Sequence, residues 1–252
     1  MTTADEKLRF GRTSLLLGPD GLEACSEARV VLFGVGGVGS WCAEGLVRSG
    51  VKHLTLVDPD NVNTTNINRQ LEATTKTIGQ PKVEALRERL LEINPDAQIL
   101  ALQAAYNAED FDDFDFDAYH YVIDAIDSLK DKISLLLRAS CSSAKIFSSM
   151  GAALKVDPTK IRVAEFWDVR GCPLGSMMRK RMRQAKTFPH KNIYCVYDDE
   201  VLENRGSAPA PAEDNPMESK KAVTNGSTAP VTAIFGMTLA GLVIKDIYYK
   251  NI

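Results

Sequence analysis

The residues best suited to chemistry begin with a glycine-rich segment, GVGGVG at 34–39, which directly follows an apolar run. Glycines let a backbone turn tightly and approach a phosphate, whose charge then sits on exposed amides at the start of a helix. Asp58 lies roughly 20 residues beyond, after the next apolar run, where a carboxylate can hydrogen-bond a ribose. The spacing predicts a nucleotide site, and taken alone it favours an NAD-dependent oxidoreductase.

A set of hydrogen-bond donors follows, with Asn66 and Arg69 in TNINRQ and Lys82 in GQPKVEAL. The fork of Arg69 can bridge two phosphate oxygens, and Lys82 supplies a point charge. NAD has two phosphates and usually needs no such clamp, whereas a triphosphate does. Asp127, in DAIDS, follows a later apolar run, and an acid that faces a triphosphate usually holds magnesium. Each residue alone has an ordinary structural explanation, but their joint order favours a triphosphate.

Apolar runs and helical patterns alternate along the first 155 residues. Such alternation predicts an α/β fold with a Rossmann-like, doubly wound and mainly parallel sheet. The predicted strands are Val30–Phe33, His53–Val57, Gln98–Leu102, Tyr119–Ile123 and Lys145–Ser149. The predicted helices are Thr13–Ser26, Val38–Ser49, Pro81–Ile93 and Asp131–Ala144.

Past residue 155 the pattern changes, although the chain is predicted to form one domain over 1–252. Residues 1–155 would form the nucleotide-binding core, and 156–252 an extension for substrate and dimer contacts. In the extension we predict an antiparallel strand at Ile161–Phe166, a basic helix at Leu174–Lys186, a strand at Asn192–Val196, a mobile loop over 205–230 and an apolar helix at Val231–Tyr249.

Composition excludes several classes of protein. The formal net charge of −3 argues against a chain that binds nucleic acid over its whole surface. The five cysteines form no CxxC pair, and their odd number with a polar N-terminus predicts reduced thiols in a cytoplasm. The apolar run Ala229–Ile244 is short for a membrane span and predicts a buried core helix. The acidic run Glu109–Asp117 predicts a surface segment pinned by its aromatic residues.

Taken in order, RFGRT at 9–13, GVGGVGS, LVDPD, TNINRQ, GQPKVEAL and DAIDS resemble the adenylating superfamily of ubiquitin-activating enzymes and the molybdopterin- and thiamine-pathway adenylyltransferases. The resemblance implies ATP as cofactor, with Asp127 holding magnesium and Arg12 reaching into the partner subunit of a homodimer. It further implies that Asp58 binds the ribose. The residues implied to contact the phosphates are Gly36, Gly37, Gly39, Asn66, Arg69 and Lys82.

Within that superfamily the absence of CxxC pairs departs from the activators of sulfur-carrier proteins, which usually hold zinc. The segment CPLGSMMRKRMRQ at 172–184 and the closing VTAIFGMTLAGLVI look more like the tRNA threonylcarbamoyladenosine dehydratases. That branch uses ATP to activate the carboxylate of the modified nucleoside, which then cyclises with loss of water. The alternative is adenylation of the C-terminus of a ubiquitin-like sulfur carrier. A sulfur-transfer partner and a monovalent cation also remain open.

The basic helix offers a place for tRNA, because cationic side chains cluster there in an otherwise acidic protein. Arg179, Lys180 and Arg183 are predicted to contact tRNA phosphates. Ring closure within the substrate supplies its own nucleophile, so Cys172 is not predicted to be catalytic. No membrane partner is expected.

Overall fold

The computed structural model describes residues 4–107, 114–207 and 225–250. Within these ranges the helices are α1 (Ala4–Arg9), α2 (Gly11–Glu27), α3 (Gly39–Arg48), α4 (Lys82–Ile93), α5 (Leu129–Ala139), α6 (Pro173–Ala185) and α7 (Ala229–Lys250). The strands are β1 (Arg29–Phe33), β2 (His53–Val57), β3 (Gln98–Leu102), β4 (Tyr121–Asp124), β5 (Lys145–Ser149), β6 (Arg162–Glu165) and β7 (Tyr194–Tyr197). They confirm the predicted alternation of strands and helices.

The described strands form one sheet in the order β3-β2-β1-β4-β5-β7-β6. All neighbours are parallel except β6, which runs antiparallel to β7. The strand order reverses between β1 and β4, and ligands of such sheets bind outside the carboxyl ends of the strands at this switch point. The fold confirms the predicted doubly wound sheet with an antiparallel addition.

The core of the sheet is apolar because β1 is covered on both faces. Val30–Phe33 are fully buried, as expected for a parallel strand between helical layers. On one side α3 packs against α7, and a Cβ placed at Gly236 would come 2.3 Å from Val38 O. The last helix therefore lies directly against the segment that follows β1.

The helix α7 is long and apolar enough, by length and composition, to cross a membrane. In the fold, however, Val231, Phe235, Leu239 and Val243 are fully buried in the core cluster that includes β1. This agrees with the prediction of a buried core helix. The functional division at residue 155 remains a prediction. In the structure, α7 from the predicted extension packs into the core of residues 1–155.

Several predicted boundaries need adjustment. The helix predicted over Asp131–Ala144 ends at Ala139, where the Ser140 and Ser142 hydroxyls donate to Leu137 O and Ala139 O and compete with the helical pattern. The predicted helix Thr13–Ser26 begins at Gly11 and is broken at Gly18, where φ is +76°.

Two predicted surface segments extend beyond the described residues. Of the loop 205–230, residues 208–224 lie outside them, as do residues 109–113 of the acidic run. The rest of that run is held by its rings, because Phe114 and Phe116 pack against Phe33 at centroid distances of 5.7 and 6.1 Å.

Candidate active site

The glycine loop joins β1 to α3 at the switch point of the sheet. Gly34 has a φ of +85°, and a Cβ there would lie 2.7 Å from Ala125 O. A Cβ at Gly39 would lie 1.8 Å from Gly34 O. These two positions admit only glycine, because at Gly34 the loop is pressed against the turn after β4 and at Gly39 it folds back onto its own first residue. Gly36 and Gly37 instead face the segment that contains Gln70 and Arg69.

The carboxyl of Asp58, at the end of β2, is buried and fastens the glycine loop. Its oxygens accept hydrogen bonds from Val35 N at 2.8 Å and Asp60 N at 3.0 Å. Burial raises its pKa, although Lys82 and these two amides oppose the shift. Its role as a ribose ligand stays a prediction, because the structure shows Asp58 holding backbone amides.

Asp60 was missed by the sequence reasoning. Its side chain is 54% exposed and accepts a hydrogen bond from Lys82 Nζ at 2.8 Å. The signal was available in the motif DPD, where the second acid stands two residues beyond the first. It is the accessible carboxylate of this turn.

Lys82 begins α4 and is 5% exposed. Its backbone amide donates to Asp60 O at 3.0 Å, which fixes the helix start beside the turn after β2. Burial lowers the pKa of the ammonium, but the carboxylates of Asp58 and Asp60 raise it further, and the net shift is upward. Lys82 is therefore a fixed positive charge at neutral pH.

Asn66 and Arg69 lie in the loop that crosses the start of α3. Asn66 Oδ1 accepts from Asn63 N at 2.9 Å and completes the cap of a short helical turn. Arg69 Nη1 donates to Thr65 O at 2.9 Å, and its Cγ lies 3.3 Å from the Cβ position of Gly37. Arg69 thus stands next to the glycine loop, while Asn66 supports the loop that carries it.

Asp127 is exposed and follows β4 at the same sheet edge. Beneath it lies a network that sequence reasoning missed. Lys132 Nζ lies 2.8 Å from Asp124 Oδ2, and both side chains are fully buried. The ammonium also donates to Ile126 O at 2.9 Å, and Ser148 Oγ donates to Asp124 Oδ2 at 2.6 Å. This network fixes the turn that touches Gly34 and carries Asp127.

Arg12 is exposed in the first turn of α2. It makes no hydrogen bond or ion pair with any residue that the structure describes. Its predicted role in a partner subunit stays a prediction.

The basic helix α6 requires one correction. Arg179 is 7% exposed, donates to Phe166 O at 3.0 Å and lies over the ring of Phe166 at 5.8 Å. Its guanidinium is turned inward, so it holds α6 against the chain and is not positioned to contact tRNA. Lys180 and Arg183 are exposed, and Arg183 lies over the Trp167 ring at 5.3 Å. Cys172 is 1% exposed, which agrees with its omission from the catalytic residues.

The glycine loop, the Lys82–Asp60 pair and Asp127 at the switch point define a nucleotide-binding α/β enzyme. The profile of the ThiF family matches residues 10–251, and the chain belongs to this family. The tRNA threonylcarbamoyladenosine dehydratase of Bacillus subtilis is 35% identical over 95% of this chain and 94% of its own length. The Escherichia coli protein of the same name is 31% identical over 96% and 94%.

The structure is similar to that of E. coli tRNA N6-threonylcarbamoyladenosine dehydratase, TcdA, in complex with ATP. The TM-score is 0.86 at 29% sequence identity, and the match covers 100% of this chain and 98% of that one. The molybdopterin-synthase adenylyltransferase of E. coli is 34% identical but covers only 66% of each chain. The similarity to the dehydratases therefore includes the second half of the chain.

Proposed function

We propose that the protein uses ATP to activate the carboxylate of threonylcarbamoyladenosine in tRNA, which then cyclises with loss of water. The observation that carries this proposal is similarity along almost the whole chain to proteins named for that dehydration, one of them solved with ATP. The molybdopterin-synthase adenylyltransferase and the sulfur carrier protein ThiS adenylyltransferase of E. coli match smaller shares of the chain, 66% and 40%.

The reaction fits what these residues can do. A carboxylate is a poor electrophile because its oxygen leaves poorly, and transfer of a phosphorus group from ATP makes that oxygen a good leaving group. Attack from within the nucleoside then closes the ring and expels the oxygen with the phosphorus group. No enzyme nucleophile is needed, so catalysis depends on alignment and on neutralising phosphate charge. The positive charges of Arg69 and Lys82, together with the backbone amides around Gly36 and Gly37, would neutralise the phosphate charge.

Asp127 would hold magnesium. It is an exposed carboxylate at the edge of the sheet where the phosphates are expected, which suits a hard cation. Among the described residues no group of three or more His, Cys, Asp or Glu side chains could bind a metal alone. Magnesium would therefore complete its coordination with phosphate and water oxygens, and when bound it neutralises charge on the phosphates.

Two copies of the chain would form the working enzyme. Leu8, Leu15 and Leu16, on α1 and α2, are 75–88% exposed, and Ile234 on α7 is 42% exposed. Large apolar side chains that stay exposed on α2 and α7, which pack against each other, favour an interface. Arg12 stands on α2 among these leucines, where a second copy would receive it. A homodimer in a cytoplasm, with Arg12 entering the partner's site, is part of the proposal.

The tRNA would contact the exposed cations of α6. Lys180 and Arg183 are accessible, whereas Arg179 is not. Charge reversal at Lys180 and Arg183 should weaken tRNA binding and flatten its salt dependence, since each lost phosphate contact lowers the salt slope. Unchanged binding at all salt concentrations would remove this helix from the tRNA site.

The function is tested on tRNA from a strain that lacks its own cyclising enzyme. The protein is mixed with ATP, magnesium and this tRNA, and the digested nucleosides are weighed by mass spectrometry. We expect threonylcarbamoyladenosine to lose the mass of one water only when ATP is present, with Arg69→Ala inactive and Arg87→Ala as the control. An untouched nucleoside with ATP still bound would refute the proposed substrate, and AMP transfer to a carrier ending in Gly-Gly would then be the activity to test.

A further inference from the structure

A buried carboxyl that takes no part in the chemistry above lies behind the nucleotide site. Glu72 is 2% exposed, and neither of its carboxyl oxygens has a hydrogen-bond partner within the part of the chain that the structure describes. The Ser40 hydroxyl lies beside it but donates to Gly36 O at 2.7 Å. Buried polar groups without partners are rare in proteins, and each requires an explanation.

The environment keeps this side chain uncharged. Burial raises the pKa of Glu72 to about 8, although the positive charge of Lys82 opposes the shift. At neutral pH Glu72 is therefore a carboxylic acid. The charged groups that act on it are Lys82 from α4 and Asp58 from the end of β2, and Asp60 lies beyond Lys82 as its ion-pair partner.

The charge of Glu72 decides how firmly Lys82 is held. With Glu72 neutral, the ammonium faces Asp58 and Asp60, and its hydrogen-bonded partner Asp60 is 54% exposed. Water can solvate Asp60 when the ammonium leaves, so exchange for a phosphate costs little. With Glu72 ionised, departure of the ammonium would leave a second buried carboxylate uncompensated, and removing the partner of a buried charge is costly.

We propose that Glu72 is a positioning residue that acts through Lys82: as a neutral acid it lets the ammonium move from Asp60 to the triphosphate, and as a carboxylate it retains the ammonium and repels the phosphates. The inference rests on the proposed ATP site. Because coupling is reciprocal, the nucleotide raises the proton affinity of Glu72. Where Glu72 is ionised in the free protein, nucleotide binding takes up a proton from solvent onto its carboxyl.

The test is nucleotide affinity as a function of pH, measured by calorimetry with the methylene analogue of ATP and magnesium, without tRNA. If nucleotide binds only when Glu72 is neutral, a pKa of about 8 means that affinity can fall by at most roughly 30-fold between about pH 7 and 9.5. We expect nucleotide affinity to fall by at least about tenfold over this range. Glu72→Gln, which is always neutral, should lose this pH dependence whatever its affinity at pH 7. Glu88→Gln, the same change at an exposed site on α4, should keep it.

A second measurement uses the unaltered protein. Calorimetry at about pH 8.5 in two buffers of different ionisation enthalpy reports the protons taken up, and we expect net uptake of a fraction of one proton per nucleotide. Nucleotide affinity that stays constant between about pH 7 and 9.5 overturns the inference. A pH profile of Glu72→Gln that matches that of the unaltered protein overturns it as well. Absence of nucleotide binding at every pH would instead refute the proposed ATP site, so the two failures are distinguishable.

Discussion

Loss of the Lys132 ammonium should unfold the protein more readily than loss of any surface cation. Lys132 and Asp124 are both fully buried, 2.8 Å apart. Methionine fills nearly the same volume as lysine, so Lys132→Met leaves little cavity but strands the carboxylate of Asp124. Breaking a buried pair by removing one partner costs about 3–5 kcal/mol. The half-exposed pair Arg87–Glu84, 2.7 Å apart, provides the control, and Arg87→Met should cost less than about 1 kcal/mol.

Urea unfolding measures both variants, with an unchanged dependence on denaturant as the sign that only stability has changed. Adding Asp124→Asn to Lys132→Met should recover part of the loss, because the stranded charge is then neutral. A loss for Lys132→Met no larger than that for Arg87→Met would refute the reasoning. So would a double variant less stable than Lys132→Met alone, since the cost would then lie in packing and not in charge.

Three further outcomes follow from single contacts. Gly39→Ala should lower the free energy of unfolding by more than about 4 kcal/mol. Gly36→Ala, whose Cβ would lie 3.5 Å from the flexible side-chain amide of Gln70, should fold normally and bind ATP more weakly. Equal stabilities of the two variants in urea would contradict this prediction. Arg179→Met should cost about 1.5–3 kcal/mol through its lost bond to Phe166 O, and a loss in tRNA affinity without a loss in stability would contradict the inward position. The folded protein holds the Glu72 proton up to about pH 8, whereas the unfolded chain releases it near pH 4.5. The free energy of unfolding, compared with that of Glu72→Gln, should therefore fall by about 2–4 kcal/mol as the pH rises between these values. A difference in urea midpoints that stays constant with pH would contradict this prediction.

The central strands β1, β2 and β4 could be predicted because each is a short apolar run that ends in a turn, as buried parallel strands are. Asp58 and Asp60 show where such reasoning ends. Both acids follow β2, but only the folded turn shows that Asp58 accepts the Val35 and Asp60 amides while Asp60 faces Lys82. Hydrogen-bond partners that are distant along the chain do not appear in a local pattern.

Arg179 shows a signal that was present but not used. In α6 the buried residues Gly175, Met178 and Met182 mark one face by helical spacing. Arg179 stands four residues after Gly175 and therefore falls on that same face, while Lys180 does not. Before clustered cations in a helix are predicted to be exposed, the apolar residues of the same helix must be assigned to its buried face. Charge alone predicted tRNA contact equally for Arg179, Lys180 and Arg183.

The site is built from segments that are far apart in the sequence, and this determines how ATP should act on the fold. The glycine loop is pressed against Ala125 on one side, and Thr232 of α7 lies 3.4 Å from the Cβ position of Gly37 on another. Nucleotide held by this loop therefore engages β1, the turn after β4 and the last helix at once. A ligand that binds only when these segments meet stabilises all of them together, by an amount set by its concentration relative to its dissociation constant. ATP should accordingly raise the unfolding temperature of the whole chain in one transition.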